Sequence, residues 1–319
     1  NYHYPSVEAV MEMAKVTDRR LYEKTPHHFD FLTYRLGTGK IIPSFKVDYK
    51  KSELTEYNEA ISDQVTELVA HYQYLENLPI TNDLLSAPTG YIGSRRTVIE
   101  QVQQAIIQLA TFHSYHDVQF VPVFREEELP LWEWSRWLPH MKLQQFNCRS
   151  FVYHQRSRDQ LLTSLYQMIK ERKQAAEQAG TNKQLTFTPH YVFVITDLSL
   201  MLDHNIMEFI NEDLSHLGIS YLFVEDVIES LPEHVNTVVD FKGNRQGTLR
   251  LHNGEYMDKP FVTFEKLSTE AKEQFARDLA QVTHVQTLRN AIPDSVTFLE
   301  MYGVDSVEAL DMNHRWATN

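Results

Sequence analysis

Between residues 89 and 225, short apolar runs alternate with longer runs in which apolar residues recur at helical spacing. Near-continuous apolar strands separated by helices are typical of a parallel sheet that helices cover on both faces. The strand-like runs are residues 90–93, 118–124, 149–153, 191–196 and 221–224, and the helical runs are residues 97–113, 132–141, 157–179 and 205–217. This alternation predicts an α/β fold with a mainly parallel sheet.

The flanking parts of the chain follow other patterns. Apolar residues at helical spacing behind Ser6, a favourable N-cap, predict a stalk-like first helix. Residues 29–36 and 44–49 alternate like strands, with Gly37 and Gly39 at the predicted turn between them. After Pro232, short runs joined by glycine-containing turns predict antiparallel strands added to the sheet edge. These runs are residues 237–241, 248–251 and 261–264, and further helices are predicted at residues 52–75 and 268–284.

One strand, loop and helix sequence points to a class of chemistry. Gly90-Tyr-Ile-Gly-Ser-Arg-Arg-Thr97 leads into a long helical run, and the apolar strand 191–196 ends on Asp197. This is the layout of a P-loop nucleotidase, in which a later strand ends on an acidic ligand to Mg²⁺. We therefore predict a RecA-like core and a candidate nucleotide site. Its candidate residues are Gly90, Gly93, Ser94, Arg95, Arg96, Thr97 and Asp197.

The phosphate-binding motif is nevertheless degenerate. Against G-x-x-x-x-G-K-[ST], Arg95 replaces the second glycine and Arg96 replaces the lysine, while Leu198 follows Asp197 where many such enzymes carry a glutamate. Phosphate binding needs close approach of backbone N–H groups and a lysine that reaches the β and γ oxygens. Hydrolysis, weak or regulatory nucleotide binding, and a structural vestige all stay open, and the substitutions favour the vestige. Asp197 could equally cap the turn that follows it.

Other features limit the function further. The net charge of −13 disfavours a nucleic-acid-binding face. The single Cys148, expected at the entry to a buried strand, excludes an internal disulfide. The histidine pairs have no third ligand at useful spacing, so we predict no metal site. Three tryptophans could form a partner hot spot, although their helical spacing favours packing in the core. They are Trp132, Trp134 and Trp137.

Several segments carry a resemblance to a known family. They are Lys24-Thr-Pro-His-His-Phe-Asp-Phe-Leu32, His113-Ser-Tyr-His-Asp117, Glu133-Trp-Ser-Arg-Trp-Leu-Pro-His140 and Asn290-Ala-Ile-Pro-Asp-Ser-Val-Thr-Phe-Leu-Glu-Met-Tyr302, which runs on to Trp316. With them, the whole chain resembles the EssC/EccC family of FtsK/SpoIIIE-type membrane ATPases of type VII (Ess/ESX) secretion. The resemblance implies a fragment of a longer protein: a membrane-proximal domain that follows two transmembrane helices and precedes the first intact ATPase module. It places the fragment at the cytoplasmic face of the cell membrane.

The resemblance also implies an organisation and partners. Residues 1–50 would form a membrane-proximal stalk helix and hairpin, residues 51–285 a degenerate RecA-like domain, and residues 286–319 a linker or docking segment. Phe298, Leu299 and Trp316 are its candidate docking residues. The implied partners are other secretion membrane subunits, further copies of the chain, the downstream ATPase modules and, through the full-length protein, WXG100-type substrates. ATP and Mg²⁺ are expected at the downstream modules and no cofactor here. An active nucleotidase and a DNA translocase, which the charge disfavours, are the alternative functions.

Overall fold

A nine-stranded mixed sheet organises the computed structural model, which describes residues 2–42, 59–72, 74–180 and 185–285. The strands of this sheet are β1 (Thr33–Ile41), β2 (Leu75–Asp83), β3 (Thr89–Gly93), β4 (Val118–Val123), β7 (His190–Ile195), β8 (Ile219–Glu225), β9 (Thr237–Gly243), β10 (Gln246–His252) and β11 (Glu255–Val262). Two-residue strands β5 (Lys142–Leu143) and β6 (Cys148–Arg149) pair separately. The helices are α1 (Val7–Lys15), α2 (Glu59–Tyr72), α3 (Arg95–Phe112), α4 (Leu129–Trp132), α5 (Gln155–Ala179), α6 (Met207–Ile210) and α7 (Thr269–Ala280).

The strand order is β2-β1-β11-β10-β9-β3-β8-β7-β4. The five strands from β9 to β4 are parallel, and the others are antiparallel additions on the β9 side. The predicted α/β class with a mainly parallel core and antiparallel additions is therefore confirmed. Strand β7 lies inside the sheet with parallel neighbours on both sides, because its apolar run after His190 needs cover on both faces.

Two hydrophobic clusters lie in the core. One joins α1, α3 and α7 to the sheet through residues such as Val98, Phe241 and Phe275. The other joins α5 to the sheet through residues such as Leu162 and Phe193. Residues 1–282 form one compact unit, and residues 283–319 form a second, of which the structure describes only residues 283–285. The domain boundaries proposed above stay predictions.

The predicted turn at Gly37 and Gly39 is wrong, because both glycines lie inside β1. A Cβ atom on Gly37 would lie 2.2 Å from the carbonyl oxygen of Val262, so the glycine permits close approach of strand β11. The predicted partner strand at residues 44–49 lies outside the described residues. β1 instead pairs with β2 and β11.

Two predicted helices are also wrong. Residues 132–141 form the end of α4 and two 3-10 turns, because Leu138 takes the extended conformation that precedes Pro139. Residues 205–217 form only α6 and a 3-10 turn, and the Asp213 carboxylate accepts a hydrogen bond from the Ser215 N–H at 3.1 Å. Such local side-chain bonding competes with helix formation. The predicted strand 149–153 is reduced to β6 and an isolated bridge at Val152.

Candidate functional site

The candidate site lies at the carboxyl edge of the parallel strands, where α/β folds bind their ligands. Strand β3 ends at Gly93 and α3 begins at Arg95, so a single residue, Ser94, connects them. Gly93 has φ +137°, and a Cβ atom there would lie 2.3 Å from the Phe241 carbonyl oxygen. The glycine serves a tight strand-to-helix turn against β9, not an arch over a ligand.

The side chain of Arg95 extends over this edge. Its Nε and Nη2 atoms donate to the two carboxylate oxygens of Glu128 at 2.5 and 2.8 Å. Its Nη1 atom donates to the Thr196 carbonyl oxygen at 2.6 Å. Since Thr196 directly follows β7 and Glu128 lies in the connection after β4, Arg95 ties the start of α3 to two neighbouring strand ends.

Arg96 and Thr97 contribute less to the site. The Arg96 side chain is exposed. The Ser94 hydroxyl donates to the Thr97 hydroxyl at 2.9 Å and does not cap the helix. These residues do not fit a triphosphate, because one connecting residue cannot wrap phosphates with successive N–H groups and Arg95 extends over the same edge.

Asp197 acts as a cap and an ion-pair partner. Its carboxylate accepts hydrogen bonds from the N–H and the hydroxyl of Ser199 at 3.1 and 2.6 Å, and from the Nε of Arg125 at 2.8 Å. Burial raises the pKa of Asp197, but the hydrogen bonds from Ser199 and Arg125 outweigh it and hold that pKa below its usual range. Asp197 therefore caps the turn that follows it, which is the alternative role given for it above.

Three charged residues at this edge were missed by the sequence analysis. They are Arg125, Glu128 and Glu225, which ends β8. Burial raises the pKa of Glu225, and the negative charges of Asp197 and Asp226 raise it further. Glu225 could have been found, because like Asp197 it ends an apolar strand. The other two lie in irregular connections, where the sequence has no periodic signal.

The three tryptophans do not form one surface cluster. Trp132 and Trp134 are 0% and 2% exposed and belong to the hydrophobic core that contains α3. Their burial fits the core interpretation and leaves no surface for a partner to contact. Trp137 is partly buried, and the guanidinium carbon of Arg277 lies 3.9 Å from its ring centroid. Only Trp137 therefore lies where a partner could reach it.

Four further residues were predicted to bind a ligand or a partner. Phe298, Leu299 and Trp316 lie outside the described residues. The described helices include none that is both long enough and apolar enough to cross a bilayer. Gly90 lies inside β3, where a Cβ atom would meet the Leu231 side chain at 2.5 Å, so its role is close packing.

Comparison with known proteins gives the family. No protein-family model matches the chain. It is 50% identical to the type VII secretion system protein EssC of Staphylococcus aureus (strain NCTC 8325) over 320 residues, which cover 100% of this chain and 22% of that protein. It is 35% identical to the ESX secretion system protein EccC of Geobacillus thermodenitrificans over 318 residues, or 99% of this chain and 21% of that protein. The chain belongs to the EssC/EccC family. It spans about a fifth of the length of these relatives.

Solved EccC structures agree with this fold. The cytoplasmic domain of the Thermomonospora curvata type VII secretion ATPase EccC aligns with a TM-score of 0.56 at 11% identity, over 88% of this chain and 35% of that one. ATPases 2 and 3 of T. curvata EccC, in complex with a signal sequence peptide, align with a TM-score of 0.50 at 14% identity, over 64% of this chain and 44% of that one. At these identities the likeness extends to the fold alone, which is that of an ATPase domain.

Proposed function

We propose that this EssC/EccC segment is a catalytically inactive, ATPase-like domain that couples a membrane stalk to the downstream ATPase modules of a type VII secretion motor. The observation that carries the proposal is the Arg95 side chain, which lies over the carboxyl edge of the sheet and pairs with Glu128. Arg95 closes the edge at which an active relative of this fold would bind its ligand.

The energetics favour the closed edge. The side chains of Arg95 and Glu128 are 22% and 15% exposed, so water screens their charges only in part. A ligand that displaced Arg95 would leave the Glu128 carboxylate without its guanidinium and bring further negative charge beside it. Glu225 and Asp197 add two carboxylates near the same place. A nucleotide triphosphate would therefore have to break the pair between Arg95 and Glu128, at an edge that lacks the loop of successive N–H groups with which an active phosphate loop binds phosphates.

The roles of the whole protein extend the proposal. As a member of the EssC/EccC family, the full-length protein would lie at the cytoplasmic face of the cell membrane and form homo-oligomers there. It would associate with the other membrane subunits of the secretion machine and export WXG100-type substrates. ATP and Mg²⁺ would act at its downstream modules, and nucleic acid would not be a partner of this negatively charged domain.

Phosphate release and nucleotide binding test the inactivity. The isolated chain, incubated with ATP and Mg²⁺, should release phosphate at the rate of a buffer blank, and isothermal titration should detect no heat of binding. The Asp197→Ala variant should give the same result. Turnover that Asp197→Ala abolishes would establish a working nucleotidase. Binding without turnover would instead support a regulatory nucleotide site.

A further inference from the structure

A small buried cavity lies between α3 and the sheet. Four of its lining residues belong to α3, three to β1 and one each to β3 and β9, and the last follows β11. All ten are buried. The cavity has about 10 Å³ of space for the centre of a water molecule, which is room for one water and for nothing larger. Its lining includes three glutamines, two tyrosines and an arginine. Cavities that stay dry are apolar, so this lining indicates an occupant.

One glutamine of the lining carries an acceptor without a donor. The side chain of Gln104 is buried, and its Nε2 atom donates to the Glu265 carbonyl oxygen at 2.8 Å and to Glu100 Oε1 at 3.2 Å. These two contacts fix the orientation of the amide, because the reverse orientation would place its oxygen against two other oxygens. No donor of the described residues reaches Gln104 Oε1. Buried polar atoms are nearly always hydrogen-bonded, so this oxygen requires a donor.

The two tyrosines of the lining carry a donor without an acceptor. The hydroxyl groups of Tyr34 and Tyr91 are hydrogen-bonded to each other. Burial raises the pKa of Tyr34 to about 12 and the pKa of Tyr91 well above its ordinary value, so both hydroxyls keep their hydrogens at neutral pH. Only one of these two hydrogens can lie between the two oxygens. Asn82 Nδ2 donates to the Tyr34 oxygen at 3.2 Å and therefore does not accept the other one. One phenol hydrogen of the pair has no acceptor among the described residues.

We propose that this cavity binds one water molecule, which accepts the remaining phenol hydrogen of the tyrosine pair and donates to Gln104 Oε1. Water fits because it both accepts and donates hydrogen bonds, and because no carboxylate among the described lining residues would attract a cation in its place. The water ties α3 to β1 and β3, two strands that three others separate in the sheet. It is therefore a part of the structure that holds the antiparallel strands against the parallel core. The inference does not depend on whether the degenerate site binds nucleotide.

A high-resolution crystal structure of the whole chain tests the site directly. An isolated peak of electron density should lie within about 3.2 Å of both Gln104 Oε1 and one of the two tyrosine oxygens. A cavity without density, bounded by well-ordered side chains, would overturn the proposal. A peak that contacts neither the glutamine oxygen nor a tyrosine oxygen would overturn it as well.

A double-mutant cycle tests the site in solution. Gln104→Met removes the acceptor, and the pair variant Tyr34→Phe/Tyr91→Phe removes both hydroxyls, whichever of them donates to the water. The combined variant should be more stable than the sum of the two effects predicts, by about fivefold or more in the equilibrium constant of urea unfolding, because either change alone already costs the water a partner. Tyr221→Phe is the matched control. Its hydroxyl donates to the Phe209 carbonyl oxygen at 2.7 Å in the second hydrophobic cluster, so its effect and that of Gln104→Met should add. Effects of Gln104→Met and the tyrosine pair that simply add would contradict a shared water.

Discussion

The guanidinium of Arg95 and the carboxylate of Glu128, 33 residues apart in the chain, form a two-point ion pair with distances of 2.5 and 2.8 Å. We predict that Arg95→Ala lowers the free energy of unfolding by about 1–3 kcal/mol, because Glu128 loses its partner and the Thr196 carbonyl loses a donor. Arg95→Lys should restore little, since an ammonium cannot reproduce the planar fork. Urea denaturation of the three proteins measures this.

The neighbouring Arg96 provides the control for that experiment. Its side chain is exposed, so Arg96→Ala should stay within about 0.5 kcal/mol of the parent chain. Equal stability of the Arg95→Ala and parent proteins would show that the ion pair does not hold the sheet edge together.

Three buried histidines should make stability depend on pH. Burial lowers the pKa of His113 to about 3, of His140 to about 4 and of His190 to about 3. The unfolded chain then binds protons that the folded chain does not. The stabilisation is fully present above the ordinary histidine pKa of about 6.5 and is lost as pH falls from there toward the folded-state pKa values of about 3 to 4.

Removing one of these histidines tests whether the free energy of unfolding falls as the pH is lowered for this reason. His190→Asn should reduce the fall in unfolding free energy between pH 6 and pH 4.5 by up to about 1.4 kcal/mol per pH unit. Urea titrations at several pH values measure this slope. His216→Gln, at an exposed position, should leave the slope as it is. A slope that His190→Asn does not change would show that this histidine is protonated in the folded protein.

A buried ion pair joins α3 to α7. The Nζ atom of Lys272 lies 2.5 Å from Glu100 Oε2 and donates to Gln103 Oε1 at 2.7 Å, with side chains of Lys272 and Glu100 that are 6% and 12% exposed. Lys272→Met should cost about 3–5 kcal/mol, because it leaves a buried carboxylate without its partner. The double variant Lys272→Met/Glu100→Gln should recover part of that loss in thermal or urea denaturation. A double variant less stable than Lys272→Met would contradict this account.

Strand β7 should be among the slowest segments in amide hydrogen exchange. All six residues, His190–Ile195, are buried, and parallel strands flank them on both sides. The edge strand β2, Leu75–Asp83, has one neighbour and two exposed residues, so it should exchange faster. Mass spectrometry of exchanged peptides compares the two within one sample. Faster exchange in β7 than in β2 would count against the sheet order.

Gly37 should tolerate no side chain. The Cβ atom of alanine would lie 2.2 Å from a backbone oxygen of Val262, so β1 and β11 would have to separate. We expect Gly37→Ala to cost about 1–3 kcal/mol. Gly180→Asn serves as the comparison, because no atom of the described residues lies within 4 Å of its Cβ position and asparagine accepts its φ of +65°. Thermal denaturation should separate the two variants clearly.

The parallel core could be predicted from sequence because buried strands must be apolar along their whole length. The errors have physical causes as well. Glycine in a strand, as at Gly37, cannot be told from glycine in a turn when the approaching β11 is unknown. Apolar spacing around Trp134 matches a helix, and only Pro139 indicates the break. Strand β2 was missed, because it begins where the helix predicted for residues 52–75 ends and no element was predicted in the stretch that follows.

The candidate site residues stay predictions, and the contacts that the structure gives them were not foreseen. Gly93 and Asp197 lie at the carboxyl edge of the sheet. The sequence indicates such positions because strands end where apolar runs end. Arg95 was recognised as an obstacle to phosphate binding, whereas its partner Glu128 lies in an irregular connection with no pattern of its own. Pairings across such distances along the chain depend on the tertiary fold.

The single residue between β3 and α3 has a consequence for any attempt to give this domain ATPase activity. Exchanging Arg96 for lysine would restore the lysine of the phosphate-binding motif. It would not restore the loop backbone whose N–H groups bind the phosphates. Ser94 would still be the whole connection, and Gly93 would still lie against the Phe241 carbonyl. Recovery of the lost chemistry therefore calls for inserted residues, a change of chain length that point substitutions cannot supply one at a time.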